Sequence, residues 1–136
     1  MTGRTYLIDA GPLVAVMNRR DRHHQWATET LDHLDGGIAT CESVLSEACF
    51  LAKRGGGAAE KLLDLLATLQ VRLLPMPNAA RDYLRKYQDI ASVADATLLA
   101  LADEDANRIV CTTDVRDFGV YRLSRRRRVP ALMPPS

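Results

Sequence analysis

The stretch TYLIDAGP, residues 5–12, decides how the chain is expected to fold. Its first four residues are a short apolar run rich in β-prone side chains, typical of a buried strand, and the run stops at Asp9. Pro12 suits the first turn of a helix, because a residue there has no need of a paired backbone N–H. The stretch therefore predicts a strand that passes directly into a helix.

The same alternation of strands and helices continues along the chain. Further strands are predicted at residues 38–41, 71–74, 108–113 and 129–133. Further helices are predicted at residues 21–34, 43–54, 58–69, 78–87 and 92–105. Two consecutive parallel strands must be joined by a crossover, usually a helix, that brings the chain back to the same end of the sheet. The pattern therefore predicts the α/β fold class, a parallel sheet covered by helices on both faces.

Length and composition fit a globular chain. The 136 residues are 47% hydrophobic and 26% charged, enough apolar material for one core, so a single domain over residues 1–136 is expected. No apolar run approaches the roughly eighteen residues that span a bilayer, which excludes a transmembrane protein. Asp9 interrupts the apolar N-terminus and no cleavage site follows, so we expect a cytoplasmic location. Cys41, Cys49 and Cys111 lack metal-ligand spacing and predict reduced thiols.

Positive charge is concentrated near the C-terminus. Residues 1–115 carry 12 basic and 16 acidic side chains, whereas residues 116–136 carry six arginines and one aspartate. A net charge of +1 hides this asymmetry. The four consecutive arginines at 125–128 are therefore candidates for contact with a polyanion.

Five carboxylates occupy positions that packing alone does not explain. Asp9 ends the first predicted strand, and Asp114 and Asp117 follow the fourth. Glu47 and Asp95 lie inside predicted helices. Their neighbours three and four positions away are mostly apolar, so both side chains are expected to point inward. In parallel α/β sheets, binding sites gather at the carboxyl ends of the strands, where Asp9 and Asp114 lie.

Inward carboxylates from separate elements need a shared cation, because an unpartnered buried charge costs several kcal/mol or changes its protonation. Lysine is scarce, with only Lys53, Lys61 and Lys86. A ligand set made of carboxylate oxygens, with no histidine or cysteine, suits Mg²⁺ or Mn²⁺, and both ions also accept phosphate oxygens as ligands. The pattern therefore predicts hydrolysis of a phosphate ester by metal-activated water.

Each carboxylate also has an ordinary structural explanation. Asp9 fits a helix N-cap ahead of Pro12, and Asp95 fits a capping box with Ser92. Asp114 fits an Asx turn and Asp117 a solvated loop residue. Glu47 would need a buried arginine as its partner. The joint arrangement is more informative than any single residue.

Six stretches, in order, resemble the PIN domain, and a lone domain of this size resembles the VapC-type toxins of bacterial toxin–antitoxin modules. They are YLIDAGPLVA (6–15), DRHH (21–24), VLSEA (44–48), ADATLLALA (94–102), TTDVRDF (112–118) and YRL (121–123). The resemblance implies a three-layer α/β/α fold with five parallel strands. It also implies a metal-dependent endoribonuclease, a hydrolase of RNA phosphodiester bonds.

The resemblance further implies roles for individual residues. The metal-binding and catalytic quartet would be Asp9, Glu47, Asp95 and Asp114, with Asp117 as an auxiliary acid and Thr112 as a polar neighbour of these ligands. The implied cofactor is Mg²⁺, with Mn²⁺ as an alternative. The implied partners are an RNA substrate, a cognate antitoxin protein and a second copy of the chain in a homodimer.

Basic and imidazole side chains have two interpretations each. The candidates for contact with RNA phosphates are Arg116, Arg122, Arg125, Arg126, Arg127 and Arg128, and the alternative is a solvated tail. His23 and His24 are expected to be surface or packing residues at the start of a helix that Asp21 caps.

Two other functions compete with the nuclease. One is a catalytically silent PIN-like module that only binds RNA or protein, against which the complete acidic quartet argues. The other is an aspartyl-phosphate enzyme of another α/β family, which needs a second aspartate two residues after the nucleophile. Gly11 stands at that position, so the second alternative is set aside.

Overall fold

The computed structural model describes residues 3–135, in which a sheet of five parallel strands forms the centre. The strands are β1 (Thr5–Ile8), β2 (Gly37–Thr40), β3 (Arg72–Leu73), β4 (Arg108–Cys111) and β5 (Ala131–Leu132). Their order across the sheet is β3-β2-β1-β4-β5. This arrangement confirms the predicted fold class and the number of strands.

Seven α-helices in the described residues flank the sheet in a three-layer α/β/α arrangement. They are α1 (Ala10–Met17), α2 (His24–Asp32), α3 (Glu42–Arg54), α4 (Ala59–Thr68), α5 (Ala80–Lys86), α6 (Val93–Glu104) and α7 (Val115–Val120). A single 3₁₀ turn follows at Ser124–Arg126. None of the helices in residues 3–135 is long and apolar enough to cross a membrane.

Strand β1 lies in the middle of the sheet and fixes the register of its neighbours. Thr5 pairs with Gly37 of β2 on one side and with Arg108 of β4 on the other. Leu7 and Ile8 are fully buried, as expected for a central parallel strand covered on both faces. The TYLI run therefore forms the centre of the core.

Helix α6 is the most deeply buried helix, with eight of its twelve residues inaccessible. Its small and leucine side chains, from Ala94 to Ala102, allow it to pack against both α5 and α3. A helix that is apolar around most of its circumference is stable only inside the protein. Four polar side chains interrupt it, namely Asp95, Thr97, Asp103 and Glu104.

The boundaries differ from prediction where side chains decide them. Helix α1 begins at Ala10, two residues before Pro12, because the Asp9 side chain caps it. Helix α2 begins at His24, so the prediction that Asp21 caps it is wrong; Asp21 instead accepts a hydrogen bond from the His23 backbone N–H within the preceding turn, at 2.8 Å.

Helix α7 was not predicted at all. It has six residues, includes Gly119 and lacks helical periodicity long enough to detect. Its stability comes from the Asp114 cap and from burial of Phe118 against Tyr121, with ring centroids 5.1 Å apart. These tertiary contacts convert the expected loop after β4 into a helix.

Candidate active site

Two adjacent strands deliver acidic side chains to the same edge of the sheet. Asp9 follows β1 directly, and Asp114 lies three residues after the end of β4. The Asp9 backbone N–H donates to the Cys111 carbonyl at 2.9 Å, which extends the ladder to the carboxyl end of both strands. Gly11 allows the start of α1 to lie close to the residues that follow β4, because a Cβ at position 11 would lie 2.0 Å from Thr113 Oγ1.

Asp9 is the most buried acid of the site, with 7% of its surface exposed. Its Oδ1 accepts from the Ala10 backbone N–H at 2.8 Å, and its Oδ2 accepts from the Thr112 hydroxyl at 2.7 Å. Burial raises the pKa of Asp9 from 3.8 to about 7, and the charges of Asp95 and Glu47 add to the rise against the lowering effect of the two hydrogen bonds.

Thr112 links Asp9 to Asp114. Its hydroxyl donates to Asp9 and accepts from the Asp114 backbone N–H at 3.0 Å. Asp114 in turn caps α7, since its Oδ1 accepts from the Asp117 backbone N–H at 3.0 Å. The fully buried Thr112 thus fixes the Asp9 side chain and the backbone position of Asp114 at once.

Asp95 lies in the first turn of α6 and is half-buried. The Ser92 hydroxyl accepts from its backbone N–H at 3.1 Å, and its Oδ2 accepts from the Tyr121 hydroxyl at 2.7 Å. Burial raises the pKa of Asp95 despite the hydrogen bond from Tyr121, and the nearby charge of Asp114 raises it further.

Glu47 is exposed, so the prediction that it points into an apolar environment is wrong. Helix α3 packs through Val44, Ala48 and Ala52, and Glu47 lies beside that face. The pKa of its carboxylate is nevertheless affected by the other acids of the site. Partial burial raises the pKa of Glu47, and the charges of Asp95 and Asp114 raise it further.

Asp117 completes the group of five carboxylates. It is half-buried in the first turn of α7. Burial and the charge of Asp114 raise the pKa of Asp117, whereas Arg116 lowers it. The carboxylates therefore repel one another, and none of the ion pairs found in residues 3–135 neutralises any of them.

Comparison with known proteins places this geometry in a family. The sequence model of the PIN domain matches residues 6–122, which include all five carboxylates. The chain belongs to the PIN domain family. The resemblance seen in the sequence is confirmed, and a search of curated proteins finds no match.

Solved structures with the same fold include two from toxin–antitoxin modules. One is the Mycobacterium tuberculosis toxin VapC20, described as cleaving the sarcin-ricin loop. It has 20% sequence identity and a TM-score of 0.68 over 77% of this chain and 86% of that chain. The other is VapBC2 from Rickettsia felis bound to a promoter DNA fragment, with 15% identity and a TM-score of 0.59 over 96% of this chain and 99% of that chain. The PIN fold of this chain is therefore the one seen in VapC-type structures.

The donor set of this PIN domain fits a hard divalent cation. All five side chains offer carboxylate oxygens. Burial and the charges of neighbouring acids raise the pKa of Asp9, Glu47, Asp95 and Asp117, so a cation bound beside them would favour their ionised forms. No three His, Cys, Asp or Glu side chains within residues 3–135 stand close enough to enclose an ion by themselves. Mg²⁺ commonly takes only one or two carboxylates and completes its sphere with water and substrate phosphate.

The arginines predicted to contact RNA fall into two groups. Arg122 Nη1 donates to the carbonyls of Gly119, Val120 and Tyr121 at 2.8–3.2 Å, and Arg127 pairs with Asp103 at 2.7 Å. These two therefore stabilise the PIN domain itself.

The second group is exposed. The side chains of Arg116, Arg125, Arg126 and Arg128 make no hydrogen bond or ion pair with other residues of the 3–135 range. Arg116 borders a hollow of about 340 Å³ that Asp114 also lines. His24 packs as expected, with Nδ1 2.7 Å from the Ala15 carbonyl oxygen.

Tyr121 is a site contact that the sequence did not predict. It is fully buried, yet its hydroxyl contacts Asp95, which lies 26 positions earlier in the chain. Burial and this hydrogen bond to Asp95 raise the pKa of Tyr121, so it remains a donor at physiological pH. The sequence signal at this position was its place in the PIN-like stretch YRL (121–123), which does not identify Asp95 as its partner.

Proposed function

We propose that this PIN domain, a single domain over residues 1–136, is a metal-dependent endoribonuclease, the toxin of a VapBC-like module. One observation carries the proposal. Asp9, Glu47, Asp95 and Asp114 lie near enough for the charges of these carboxylates to raise the pKa of the first three, and none of the four forms an ion pair within the described residues. Such a cluster is costly unless a cation joins it.

Asp9, Glu47, Asp95 and Asp114 would hold Mg²⁺, or Mn²⁺ in its place, with Asp117 as an auxiliary acid. The ion would activate a water molecule for attack on phosphorus and stabilise the leaving oxygen. The chain's own residues prepare the site. Thr112 orients Asp9, Tyr121 orients Asp95, and burial of Asp9 keeps bulk water from one side of the cluster.

The proposed substrate and partners follow from the family. VapC20 is described as a toxin that cleaves the sarcin-ricin loop, which supports RNA as the substrate class. The VapBC2 structure from Rickettsia felis is bound to a DNA fragment from their promoter, and its similarity to this chain supports a cognate antitoxin as a partner. We also propose a homodimer and a cytoplasmic location, the setting in which a ribonuclease toxin meets its RNA.

The test is cleavage of total cellular RNA by purified protein, with cut ends read by sequencing. The arms are wild type with Mg²⁺, wild type with EDTA, and Asp9→Asn and Asp95→Asn with Mg²⁺. Asp64→Asn is the matched control, because Asp64 is an exposed aspartate of α4. We expect discrete cuts only for wild type and Asp64→Asn with metal.

One result would replace the proposal by the silent-module alternative. If wild-type protein binds RNA but leaves it intact with Mg²⁺ and with Mn²⁺, the acidic cluster does not support catalysis. Cuts that persist in EDTA or in both variants would indicate a contaminating or metal-independent nuclease, and would equally contradict the assignment.

A further inference from the structure

Residues 122–128 form a closed turn, here called the arginine loop. Its ends pair in an antiparallel bridge between Arg122 and Arg128. Inside the turn, the Leu123 backbone N–H donates to the Arg127 carbonyl at 2.8 Å. The four-arginine run, which from its sequence could contact a polyanion or form a solvated tail, is therefore an ordered element.

The backbone at the tip of the arginine loop is strained. Arg125 has φ of 61° and Arg126 has φ of 58°, both in the left-handed region that favours glycine. Two consecutive side-chain-bearing residues in this region cost on the order of 1 kcal/mol each or more. Such a conformation persists only where the surrounding structure imposes it.

Asp103 of α6 holds the arginine loop in this conformation. Its Oδ2 accepts from the Tyr83 hydroxyl at 2.7 Å, from the Ser124 backbone N–H at 3.2 Å and from the Ser124 hydroxyl. Its Oδ1 accepts from Arg127 Nη2 at 2.7 Å. One carboxylate on a buried helix thus holds the loop at both sides of its strained tip.

The clamp leaves the tip arginines free to bind. Arg125 and Arg126 are exposed and make no hydrogen bond or ion pair with the rest of residues 3–135. Together with Lys86 they border a hollow of about 430 Å³, in which Asp82 is the acid. Basic side chains outnumber acidic ones around the hollow, so it attracts anions.

The arginine loop is also fixed relative to the carboxylates. The backbone N–H of Arg122, its first residue, donates to the Tyr87 hydroxyl at 2.9 Å. The Tyr87 ring packs edge-on against Tyr121, with centroids 4.9 Å apart, and Tyr121 contacts Asp95. A strand of nucleic acid that reaches the acidic cluster therefore meets this loop at a constant offset.

We propose that the arginine loop is a preformed site for the phosphates of the RNA strand, bound by Arg125, Arg126 and Lys86 and organised by Asp103. The choice of RNA rests on the proposed function; the anion site itself does not. Phosphate contacts position a nucleic acid without reading its sequence. Asp103 is a positioning residue, because it acts on RNA only through the loop.

The first test measures binding of a labelled single-stranded RNA of about 12 nucleotides in EDTA, where no cleavage interferes. We compare wild type with Arg125→Gln/Arg126→Gln over about 50–300 mM KCl. The matched control is Arg19→Gln/Arg20→Gln, which removes the same charge from an exposed turn after α1. We expect the loop variant to bind about tenfold more weakly and the slope of log K against log salt to shrink by about 1.4, and the control to change little.

The second test separates a preformed site from charge alone. Asp103→Asn removes a negative charge beside the arginines, so charge alone predicts tighter RNA binding. Loss of the clamp predicts weaker binding, about threefold or more, because the freed loop must be reordered on binding. Ser124→Ala weakens the clamp without changing any charge, and we expect a smaller loss in the same direction.

The outcomes are distinct from those of the nuclease test. If both clamp variants, folded by circular dichroism, bind RNA as tightly as wild type or more tightly, the preformed site is wrong. If the Arg125/Arg126 variant behaves like its control, the loop does not bind RNA. A larger loss for duplex DNA than for RNA in that variant would overturn the assignment to RNA. Loop-dependent RNA binding without any cleavage would keep this inference and reject the nuclease.

Discussion

Asp9 combines two roles that conflict energetically. As the N-cap of α1 it is held rigidly by Ala10 and Thr112, and the same burial that makes it rigid disfavours its charge. A proposed ligand must be ionised to bind Mg²⁺. The folded protein without metal therefore carries a destabilising group at the place where a cation is most useful.

This conflict predicts that Asp9→Asn stabilises the metal-free protein. Because the folded-state pKa lies above the unfolded value, stability of the wild type falls as pH rises from about 4 to about 7. The rise from 3.8 to about 7 sets an upper limit of about 4 kcal/mol at pH 8. Asparagine caps helices equally well, so we expect a gain on the order of 2 kcal/mol at pH 8 in EDTA.

Urea unfolding at pH 8 and near pH 4 measures this effect. The gain should be small at the lower pH, where Asp9 is protonated in the folded wild type and about half protonated in the unfolded chain. Asp64→Asn should show no such pH-dependent gain. Equal stability of wild type and Asp9→Asn at pH 8 would show that Asp9 carries no burial penalty.

Tyr121 gives a second prediction at the same scale. Tyr121→Phe keeps the buried ring but removes the hydroxyl that donates to Asp95 at 2.7 Å. We expect a loss of about 1 kcal/mol in stability and a cleavage rate about three- to tenfold lower at saturating Mg²⁺, because Asp95 loses its fixed orientation.

Tyr6→Phe is the matched control, since the Tyr6 hydroxyl donates to Asp35, an exposed aspartate outside the carboxylate cluster. Its cleavage rate should stay within twofold of wild type. If Tyr121→Phe also cleaves at the wild-type rate, the hydroxyl supports folding only and does not position Asp95.

At the scale of elements, helix α6 joins the two charged regions of the protein. Asp95 lies in its first turn at the acidic cluster, and Asp103 lies near its end at the arginine loop. The buried residues between them hold both carboxylates at a fixed separation. The packing of one helix therefore determines the geometry of both sites.

Leu98→Ala tests the helix as a structural support. Leu98 is fully buried in α6, and truncation of a buried leucine costs about 3 kcal/mol through lost contacts and the cavity left behind. Leu63→Ala makes the same change on α4, where the side chain is 54% exposed, and should cost less than about 0.5 kcal/mol. Chemical denaturation of both variants checks the difference, and equal costs would show that α6 is not rigidly packed.

The elements themselves show what local sequence determines. All five strands and the helices from α1 to α6 were predicted. The signals for them are local, because the spacing of apolar residues and the presence of helix-breaking or strand-breaking residues can be recognised within a few positions. Helix α7 and the start of α2 were not, because the Asp114 cap, the Phe118 contact and the Asp21 turn decide them. The exposed position of Glu47 was missed for a related reason, since helical spacing alone does not show which neighbour covers which face.

At the scale of the whole molecule, the sequence showed which residue types matter but not their contacts. The acidic residues and the C-terminal arginines stand out in composition and order. The contacts of Tyr121 with Asp95 and of Asp103 with Arg127 join residues more than 20 positions apart, and only the fold brings them together. Long-range side-chain pairs of this kind leave no local periodicity to detect.

The balance of charge across the folded molecule leads to a last prediction, that Mg²⁺ stabilises the native state. Binding to the native carboxylates and not to the unfolded chain adds RT ln(1 + [Mg²⁺]/Kd), about 1.4 kcal/mol at tenfold excess over Kd. For a domain of this size we expect a rise in Tm of about 4 °C at pH 8.

NaCl at matched ionic strength should give a smaller rise, because screening of exposed charges is weaker than direct ligation. Asp95→Asn should lose most of the response to Mg²⁺ while Asp64→Asn keeps it. If Mg²⁺ and NaCl raise Tm equally in all three proteins, the carboxylate cluster binds no specific cation, and the repulsion among its members must be relieved in some other way.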